Sequence, residues 1–186
     1  MQITAGHLRG RKVPVPHVHG LRPTPAKVRQ ALFNILGDIE DWHVLDLFSG
    51  SGIMSLEAMS RHAESAMSIE TNHHAIHHMG MLKQLFDLQG WRICAGTLPH
   101  ALISCRDTSY DLVFADPPYN KGIAVCIPAW LDQQHIQCHH LVIEESSHAQ
   151  LHWPDNWLVE QTRRYGDSSL YFLSRIREPN LLTEAQ

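Results

Sequence analysis

The sequence lacks any run of about 18 or more apolar residues, so nothing in it predicts a membrane-spanning helix. It also lacks the charged-then-apolar start of a secretory signal, and we expect a soluble, cytoplasmic protein with no membrane partner. Its four cysteines form no C-x-x-C pair, which favours reduced thiols. Hydrophobic residues make up 44% of the 186 positions, enough for one globular domain with a proper core.

Acidic residues are missing from the first 30 positions, although the whole chain has a net charge of −4. The basic residues of the same stretch are Arg9, Arg11, Lys12, Arg22, Lys27 and Arg29. A basic segment attached to an acidic body is the asymmetry expected of a protein with one face that binds phosphate groups. We therefore predict that these residues bind nucleic acid; the alternative is a solvated basic tail.

From residue 42 onward, short apolar runs alternate with stretches of helical periodicity. Strands are predicted at 43–47, 66–69, 91–94, 112–115 and 141–144, with helices at 52–61, 72–88, 98–104 and 123–133. This α/β order predicts a mostly parallel sheet with helices on both faces. A final hairpin, 157–165 and 168–176, is predicted because Gly166-Asp167 separates two strand-like runs.

The region before this sheet is predicted to be a hairpin or extended arm followed by one helix. Thr24 is expected to be the N-cap of that helix, Pro25 its first residue and Gly37 its end. We accordingly divide the chain into a basic arm and helix (1–36), a sheet domain (37–178) and a loose tail (179–186).

The segment from Asp46 to Gly52 begins in the last two residues of the first predicted strand and reads D-L-F-S-G-S-G. Glycine lacks a Cβ, so Gly50 and Gly52 would let a ligand approach the main chain beyond the strand ends. The segment matches neither G-x-G-x-x-G nor a P-loop, which argues against a dinucleotide or a triphosphate. We predict a nucleoside-cofactor loop, whose candidate residues are Asp46, Phe48, Gly50 and Gly52. The alternative is a plain strand–helix turn.

Further candidates lie where later predicted strands end. Glu70 closes the second strand, where a carboxylate can accept hydrogen bonds from both hydroxyls of a ribose. Thr97 follows the third strand and could contact an adenine edge, although a role as a helix N-cap explains it equally well. Glu144-Glu145, at the end of the fifth strand, either approaches the site or merely caps the strand.

The motif Asp116-Pro117-Pro118-Tyr119 follows the strand at 112–115 and is the most informative feature of the chain. The exocyclic amine of a nucleobase is a poor nucleophile because its lone pair is delocalised into the ring. The Asp116 carboxylate and the Pro117 carbonyl can accept both of its N–H bonds, and the Tyr119 ring can stack on the base. Asp116 would also stabilise positive charge that develops on the nitrogen. We predict that Asp116, Pro117 and Tyr119 are catalytic; a proline-rich turn is the alternative.

The chain contains 15 histidines, which raises the question of a metal site. His73/His77 and His74/His78 have i,i+4 spacing on a predicted helix. No cysteine or acid completes a recognisable ligand set, and we expect no metal.

With these motifs placed, the chain resembles the class I S-adenosylmethionine-dependent methyltransferases. More narrowly, it resembles the bacterial family that methylates the N2 amine of a guanine in small-subunit (16S) ribosomal RNA. The motifs are A-G-x-x-R-G-R-K (5–12), L-R-P-T (21–24), L-D-L-F-S-G-S-G (45–52), L-E-A (56–58), F-A-D-P-P-Y (114–119) and R-Y-G-D-S (164–168). The proline motif alone is shared with adenine-N6 and glutamine-N5 methyltransferases, whereas L-R-P-T and the basic start favour the rRNA family.

The resemblance implies S-adenosylmethionine as cofactor, with its methionine end over Gly50 and Gly52 and its ribose on Glu70. Asp116 and Tyr119 would hold the target base. The fold implied is a Rossmann-like sheet of seven strands with an antiparallel final hairpin. The partner implied is ribosomal RNA, free or within the small subunit, and we expect a monomer.

The chain departs from that family where acids are usual, at helix positions 26 and 30 and in the segment Gly96-Thr97, which puts the adenine contact in question. Two other functions stay open. One is a non-catalytic RNA-binding or ribosome-assembly factor with the same fold. The other is a DNA adenine-N6 methyltransferase, which needs a target-recognition region for which 186 residues leave little room.

Overall fold

A computed structural model describes residues 1–14 and 24–176, which form one sheet flanked by helices. The strands are β1 (His43–Leu47), β2 (Ser65–Glu70), β3 (Trp91–Ala95), β4 (Ser109–Ala115), β5 (Gln137–Ser146), β6 (Trp157–Tyr165) and β7 (Ser168–Arg175). The α-helices are α1 (Ala26–Leu36), α2 (Ile53–Ser60), α3 (His73–Leu85) and α4 (Ile127–Gln133). Two short 3-10 segments occupy His100–Cys105 and Ala124–Cys126.

The strand order across the seven-stranded sheet is β3-β2-β1-β4-β5-β7-β6. Strands β1 to β5 are parallel, whereas β7 runs antiparallel between β5 and β6. The parallel strands are nearly continuous apolar runs because helices cover both of their faces. The predicted parallel sheet with an antiparallel final hairpin is confirmed.

Two apolar cores lie on the two faces of this sheet. One face carries α1, α2, α3 and the N-terminal segment, and we name it the arm face. The opposite face carries α4 and both 3-10 segments. Side chains alternate along each strand, so Leu112 and Phe114 of β4 pack on the arm face while Val113 and Ala115 pack on the opposite one.

The N-terminal segment, residues 1–14, is a closed loop that packs on the body of the protein. It closes through an antiparallel bridge between Gln2 and Lys12, which confirms the hairpin alternative. Its buried apolar residues are Ile3, Leu8 and Val13. Gly6 lies so close to the end of α2 that a Cβ there would be 1.6 Å from the Ser60 carbonyl oxygen. The arm and the sheet therefore share one core.

The buried carboxylate of Glu57, on α2, connects this arm to α1. It accepts hydrogen bonds from the backbone N–H groups of Thr4 and Ala5, both at 3.0 Å. The guanidinium groups of Arg29 and Arg61 lie 3.6 Å and 3.3 Å from it. Loss of either partner of such a buried pair leaves an uncompensated charge and is strongly destabilising.

Several helix predictions differ from the structure. The helix predicted at 72–88 ends at Leu85, and the one predicted at 123–133 begins with the 3-10 segment Ala124–Cys126 before α4. The N-cap of α1 is Pro25, in an extended conformation, and not Thr24, because the helix begins only at Ala26. The helix expected at 98–104 is a 3-10 segment that begins after Pro99, since proline disfavours helical backbone in the residue before it. The predicted tail lies outside the described residues. Among residues 1–14 and 24–176, no helix combines the length and apolarity needed to cross a bilayer.

Candidate active site

Strands β1 and β4 are neighbours at the point where the strand order reverses, and a crevice opens at their carboxyl ends. Leu47 pairs with Ala115, so the next residues, Phe48 and Asp116, leave the sheet side by side. The Asp116 N–H donates to the Leu47 carbonyl at 3.4 Å. The glycine loop and the proline motif therefore meet at one edge of the sheet.

The loop after β1 is held in a strained conformation. Phe48 has a φ of +59°, which bulky side chains rarely adopt. Ser49 fastens the loop to the sheet, because its N–H donates to the Ile69 carbonyl at 3.1 Å and its hydroxyl donates to the Asp46 carbonyl at 2.6 Å. Such strain persists only where the surrounding structure over-determines it, and it clusters at ligand sites.

Glu70, at the end of β2, orders the glycine loop. Its Oε2 accepts from the Gly50 N–H at 2.7 Å, and its Oε1 accepts from the N–H groups of Thr71 at 2.7 Å and Asn72 at 2.8 Å. A carboxylate offers about four acceptor positions, so Oε2 keeps room for one further donor. The structure thus brings Glu70 and Gly50 together, as their spacing predicts.

Gly52 is required for packing. Its φ is +72°, and a Cβ there would lie 2.6 Å from the Met79 side chain and 2.7 Å from Trp91. The space beside Gly52 is therefore filled by α3 and β3. This corrects the reason that the sequence suggested for this glycine: its missing Cβ makes room for core side chains, not for a ligand.

Asp46 lies beneath the loop and is only 1% exposed. Its Oδ2 accepts from the Ser55 hydroxyl at 2.8 Å and from the Ser55 N–H at 3.2 Å. The Ser55 hydroxyl is 2.6 Å from that of Ser68, which accepts from the Trp91 indole at 2.9 Å. Burial raises the pKa of Asp46 to about 7, although the Ser55 hydrogen bonds oppose this shift.

Asp116 is half-buried at the end of β4, and the next residue, Pro117, is buried. Burial raises the pKa of Asp116 well above its ordinary value, and the nearby carboxylates of Glu144, Asp46 and Glu145 raise it further. Within residues 1–14 and 24–176, no protein group donates to the Pro117 carbonyl. The carboxylate and this carbonyl can therefore both serve as acceptors for a ligand.

Two glutamates at the end of β5 hold the loop that follows Asp116. The Tyr119 hydroxyl donates to Glu144 Oε1 at 2.8 Å, and the Asn120 N–H donates to Glu145 Oε1 at 3.1 Å. Both glutamates are buried, Glu144 at 2% exposure. Their proximity to Asp116 decides between the two sequence interpretations: the pair belongs to the site.

The tyrosine hydroxyl stays protonated at this position. Burial raises the pKa of Tyr119, and the charges of Asp116 and Glu144 act in the same direction. The signal for this contact in the sequence is weak. The sequence shows only two acids, Glu144 and Glu145, at the end of a predicted strand. That this strand lies beside β4 becomes known only from the strand order of the sheet.

A small open cleft lies between the two motifs. Its lining includes Thr24, Asp46, Phe48, Gly50, Phe114 and Asp116. Thr97 is exposed after β3 and lies outside this lining, as do Gly52, Glu70, Pro117 and Tyr119. The 3-10 segment that follows Thr97 has Pro99 as its N-cap and no side-chain cap, so the N-cap interpretation of Thr97 is wrong, and its adenine contact stays a prediction.

Most of the predicted RNA-binding residues that the structure describes are exposed, namely Arg9, Arg11, Lys12 and Lys27. Arg22 lies outside the described residues. The prediction for Arg29 is wrong, because its side chain is 2% exposed and cannot reach phosphate. It donates to the Thr24 carbonyl at 2.6 Å and the Gln2 carbonyl at 2.7 Å, beside the Glu57 carboxylate. Burial lowers the pKa of this guanidinium even though Glu57 opposes the shift.

The histidines of α3 do not share one surface. His73, His74 and His77 are exposed, whereas His78 is 5% exposed. No group of three or more His, Cys, Asp or Glu side chains that could hold a metal ion occurs in the described part of the chain.

A family model described as "Conserved hypothetical protein 95" matches residues 1–174. The chain belongs to this family. It is 38% identical over 125 residues to "Ribosomal RNA small subunit methyltransferase D" of Escherichia coli K12, a match that covers 66% of this chain and 62% of that protein. The chain thus spans less than two thirds of that relative. A protein of the same name from Haemophilus influenzae is 29% identical over 176 residues, 89% of each chain. The resemblance to bacterial small-subunit rRNA methyltransferases is confirmed.

Solved structures support the same fold. A structure described as a putative methyltransferase from Escherichia coli superposes with a TM-score of 0.81 at 28% identity, over 94% of this chain and 97% of that one. An RNA methyltransferase from Salinibacter ruber, in complex with S-adenosyl-L-homocysteine, superposes with a TM-score of 0.64 at 18% identity, over 88% and 100% of the two chains. The fold is that of a Rossmann-like class I methyltransferase.

Proposed function

We propose that the protein transfers a methyl group from S-adenosylmethionine to the exocyclic N2 amine of a guanine in small-subunit ribosomal RNA. The observation that carries the proposal is the meeting of Asp116 and the glycine loop at one cleft. The names of the relatives support ribosomal RNA as substrate. The S-adenosyl-L-homocysteine complex of a protein with the same fold supports the cofactor. We further propose that the protein acts as a cytoplasmic monomer.

The residues around the glycine loop fit S-adenosylmethionine, which, when bound, supplies a methyl group activated by a sulfonium. Glu70 Oε2 has capacity for one ribose hydroxyl beside its bond to Gly50. The sequence suggested that Glu70 accepts hydrogen bonds from both ribose hydroxyls, whereas its Oε2 has room for only one of them. Phe48 and Asp46 line the same cleft, and a cationic ligand there would favour the ionised form of Asp46.

The proline motif fits the amine of an extruded base. A base must leave its stack to reach such a cleft. Asp116 and the Pro117 carbonyl would each accept one N–H bond and so direct the nitrogen lone pair towards the cofactor side. The hydrogen bond to Glu144 fixes the hydroxyl end of Tyr119, whose ring would pack on the base. Rate would come mainly from this positioning.

Asp116 also has the properties of a proton acceptor. The attacking nitrogen gains positive charge as its bond to carbon forms and must lose a proton. Because burial and the neighbouring carboxylates raise the pKa of Asp116, its ionised form binds a proton more tightly than an ordinary aspartate does. One carboxylate can therefore hold the amine and then receive its proton.

The decisive test is transfer of labelled methyl from S-adenosylmethionine to small ribosomal subunits that lack the modification, followed by nucleoside analysis. We expect N2-methylguanosine as the product. The Asp116→Ala variant should lose about a thousandfold or more of the rate, since both positioning and charge stabilisation are removed. Its affinity for S-adenosylhomocysteine should stay within about twofold of the wild type, because the glycine loop is intact.

Asp155→Ala, an exposed aspartate in the loop before β6, is the matched control and should keep full activity. If Asp116→Ala loses cofactor binding and activity together, or retains both, the roles proposed here are wrong. A methylated adenine or a methylated protein as the product would refute the guanine-N2 assignment.

A further inference from the structure

We propose that Arg163, on β6, contacts an RNA phosphate beside the target nucleotide. This inference rests on the proposed function and adds a second basic position, far in sequence from the N-terminal arm. Arg163 and its neighbour Arg164 are both exposed near the carboxyl end of β6. The register of the sheet places their side chains on opposite faces.

A row of side chains runs from the cleft to Arg163. Strand β6 is parallel to β5, since both are antiparallel to β7, so its carboxyl end lies at the cleft edge of the sheet. Glu144 pairs with Leu170, and Leu170 pairs with Arg163. The β4–β5 register, continued by one residue, places Asp116 beside Glu144. With strands about 4.8 Å apart, Arg163 lies about 15 Å from Asp116 along this row.

The row faces the arm side of the sheet. Leu170 and Phe172, the partners of Arg163 and Gln161, both belong to the core of the arm face. With its amide oxygen turned towards Arg163, Gln161 accepts from the guanidinium, at 2.6 Å from Nη2. This contact orients the Arg163 side chain on the same face of the sheet as Asp116 and Glu144.

Basic groups therefore flank the cleft on two sides. The arm packs against α2, and Thr24, just before α1, lines the cleft itself. Lys27, three residues after Thr24, is an exposed cation on that side, whereas Arg9 lies near the tip of the arm, which packs against Ser60 at the end of α2 farther from the cleft. Arg163 lies on the other side, beyond Glu144 and Leu170. A strand that places one base in the cleft would carry its phosphates towards both sides, where cations neutralise them.

Arg164 provides a matched control. It pairs with Ser169 and so points to the opposite face, where its Nε donates to the Gly166 carbonyl at 3.1 Å. The two arginines have the same charge, are adjacent and are both exposed. A general attraction between the protein and RNA would depend equally on both, whereas a contact on the arm face depends on Arg163 alone.

The experiment is a titration of labelled small-subunit rRNA transcript at several KCl concentrations. The Arg163→Ala variant should bind about five- to tenfold more weakly, and the slope of log K against log [KCl] should fall by roughly one phosphate contact. Arg164→Ala should change affinity less than about twofold, and Arg163→Lys should restore most of the slope. Equal weakening by both alanine variants, or an unchanged slope for Arg163→Ala, overturns the proposal.

Two further measurements separate this contact from misfolding and from the proposed function. Arg163→Ala should keep the wild-type melting temperature and affinity for S-adenosylhomocysteine; a change in either would assign Arg163 a structural role and overturn the contact. If the wild type methylates rRNA while Arg163→Ala binds it normally, only the Arg163 contact is wrong. If the wild type methylates neither transcript nor subunit, the proposed function fails first.

Discussion

Acidic side chains crowd the cleft end of the sheet, where Asp46, Asp116 and Glu144 are all partly or fully buried. Burial raises the pKa of each of them. Carboxylates this close to one another resist ionising together, so they titrate as a set. Under the proposed mechanism, only the ionised Asp116 can accept one N–H bond of the amine and then take up its proton. Methyl transfer should therefore require a higher pH than an ordinary aspartate would impose.

The Glu144→Gln variant tests this coupling. It removes one negative charge that raises the pKa of Asp116, while the amide oxygen can still accept from the Tyr119 hydroxyl. The pKa of Asp116 should fall, so its ionised form should persist to lower pH. We expect the acidic limb of the kcat/KM profile to move to lower pH. An acidic limb that stays in place, or moves to higher pH, would show that Glu144 does not act on Asp116 through charge.

Sequence reasoning reached the residues whose chemistry is local. Asp116 directly follows β4 and Gly50 comes three residues after the end of β1, so the ends of these two strands place them at the cleft edge. Arg29 could not be assigned in this way. Its burial depends on Glu57, on another helix, and a helical repeat cannot show that a cation one position after Val28 has found a buried partner. Local sequence patterns do not predict an ion pair between residues on two different helices.

At the scale of elements, the arm is joined to the body by a close backbone approach. The N–H of His7 donates to the Ser60 carbonyl at 2.8 Å, and the Ser60 hydroxyl donates to the Ala5 carbonyl at 2.6 Å. Gly6, which lies between these bonds, has a φ of +78°. The basic surface that we assign to RNA thus depends on one glycine for its position.

We expect Gly6→Ala to lower the free energy of unfolding by about 3 kcal/mol, because the new Cβ would meet the Ser60 carbonyl oxygen and force the arm away. Gly10→Ala is the control in the same arm. Gly10 has a φ of +83°, but the nearest group to a Cβ there is the Gln2 side chain at 3.9 Å. Gly10→Ala should lower the free energy of unfolding by only about 1 kcal/mol, the cost of a positive φ for alanine. Urea denaturation measures both, and equal losses would mean that the close approach contributes nothing.

Helices and strands were predictable where the hydrophobic pattern extends over a long segment. The strands of the sheet and the final hairpin follow from apolar runs and from Gly166-Asp167. The type of a short helical segment was not predictable, because so few residues do not show whether the apolar spacing is that of a 3-10 or an α-helix. The 3-10 segment His100–Cys105, which follows Pro99, is the example.

At the scale of the whole molecule, basic residues are concentrated in the N-terminal arm and acidic residues in the rest of the chain. The chain is acidic overall, yet the surface of the arm presents Arg9, Arg11 and Lys12 without any acid in the same segment. Neutralising cations on one side of an acidic protein orient the approach of a polyanion. RNA should therefore meet the cleft from the arm face.

Replacement of Arg9, Arg11 and Lys12 by alanine should weaken rRNA binding and lower the slope of log K against log [KCl] by roughly 2 to 3, since each residue accounts for about 0.7–0.9. Cofactor affinity should not change. Arg106→Ala, a cation of the loop after the first 3-10 segment on the opposite face, serves as the control. An undiminished slope in the triple variant would indicate that these three cations make no RNA contact.

The position of β7 has a consequence for the order in which the molecule is made. This strand comes last in the described chain, yet it fills the gap between β5 and β6. During translation, β5 has an unpaired edge on that side until β7 has emerged, and apolar residues such as Leu141 and Ile143 lie along it. Such edges attract other strands. A nascent chain paused within β6 therefore exposes this edge of β5 to pairing with other chains.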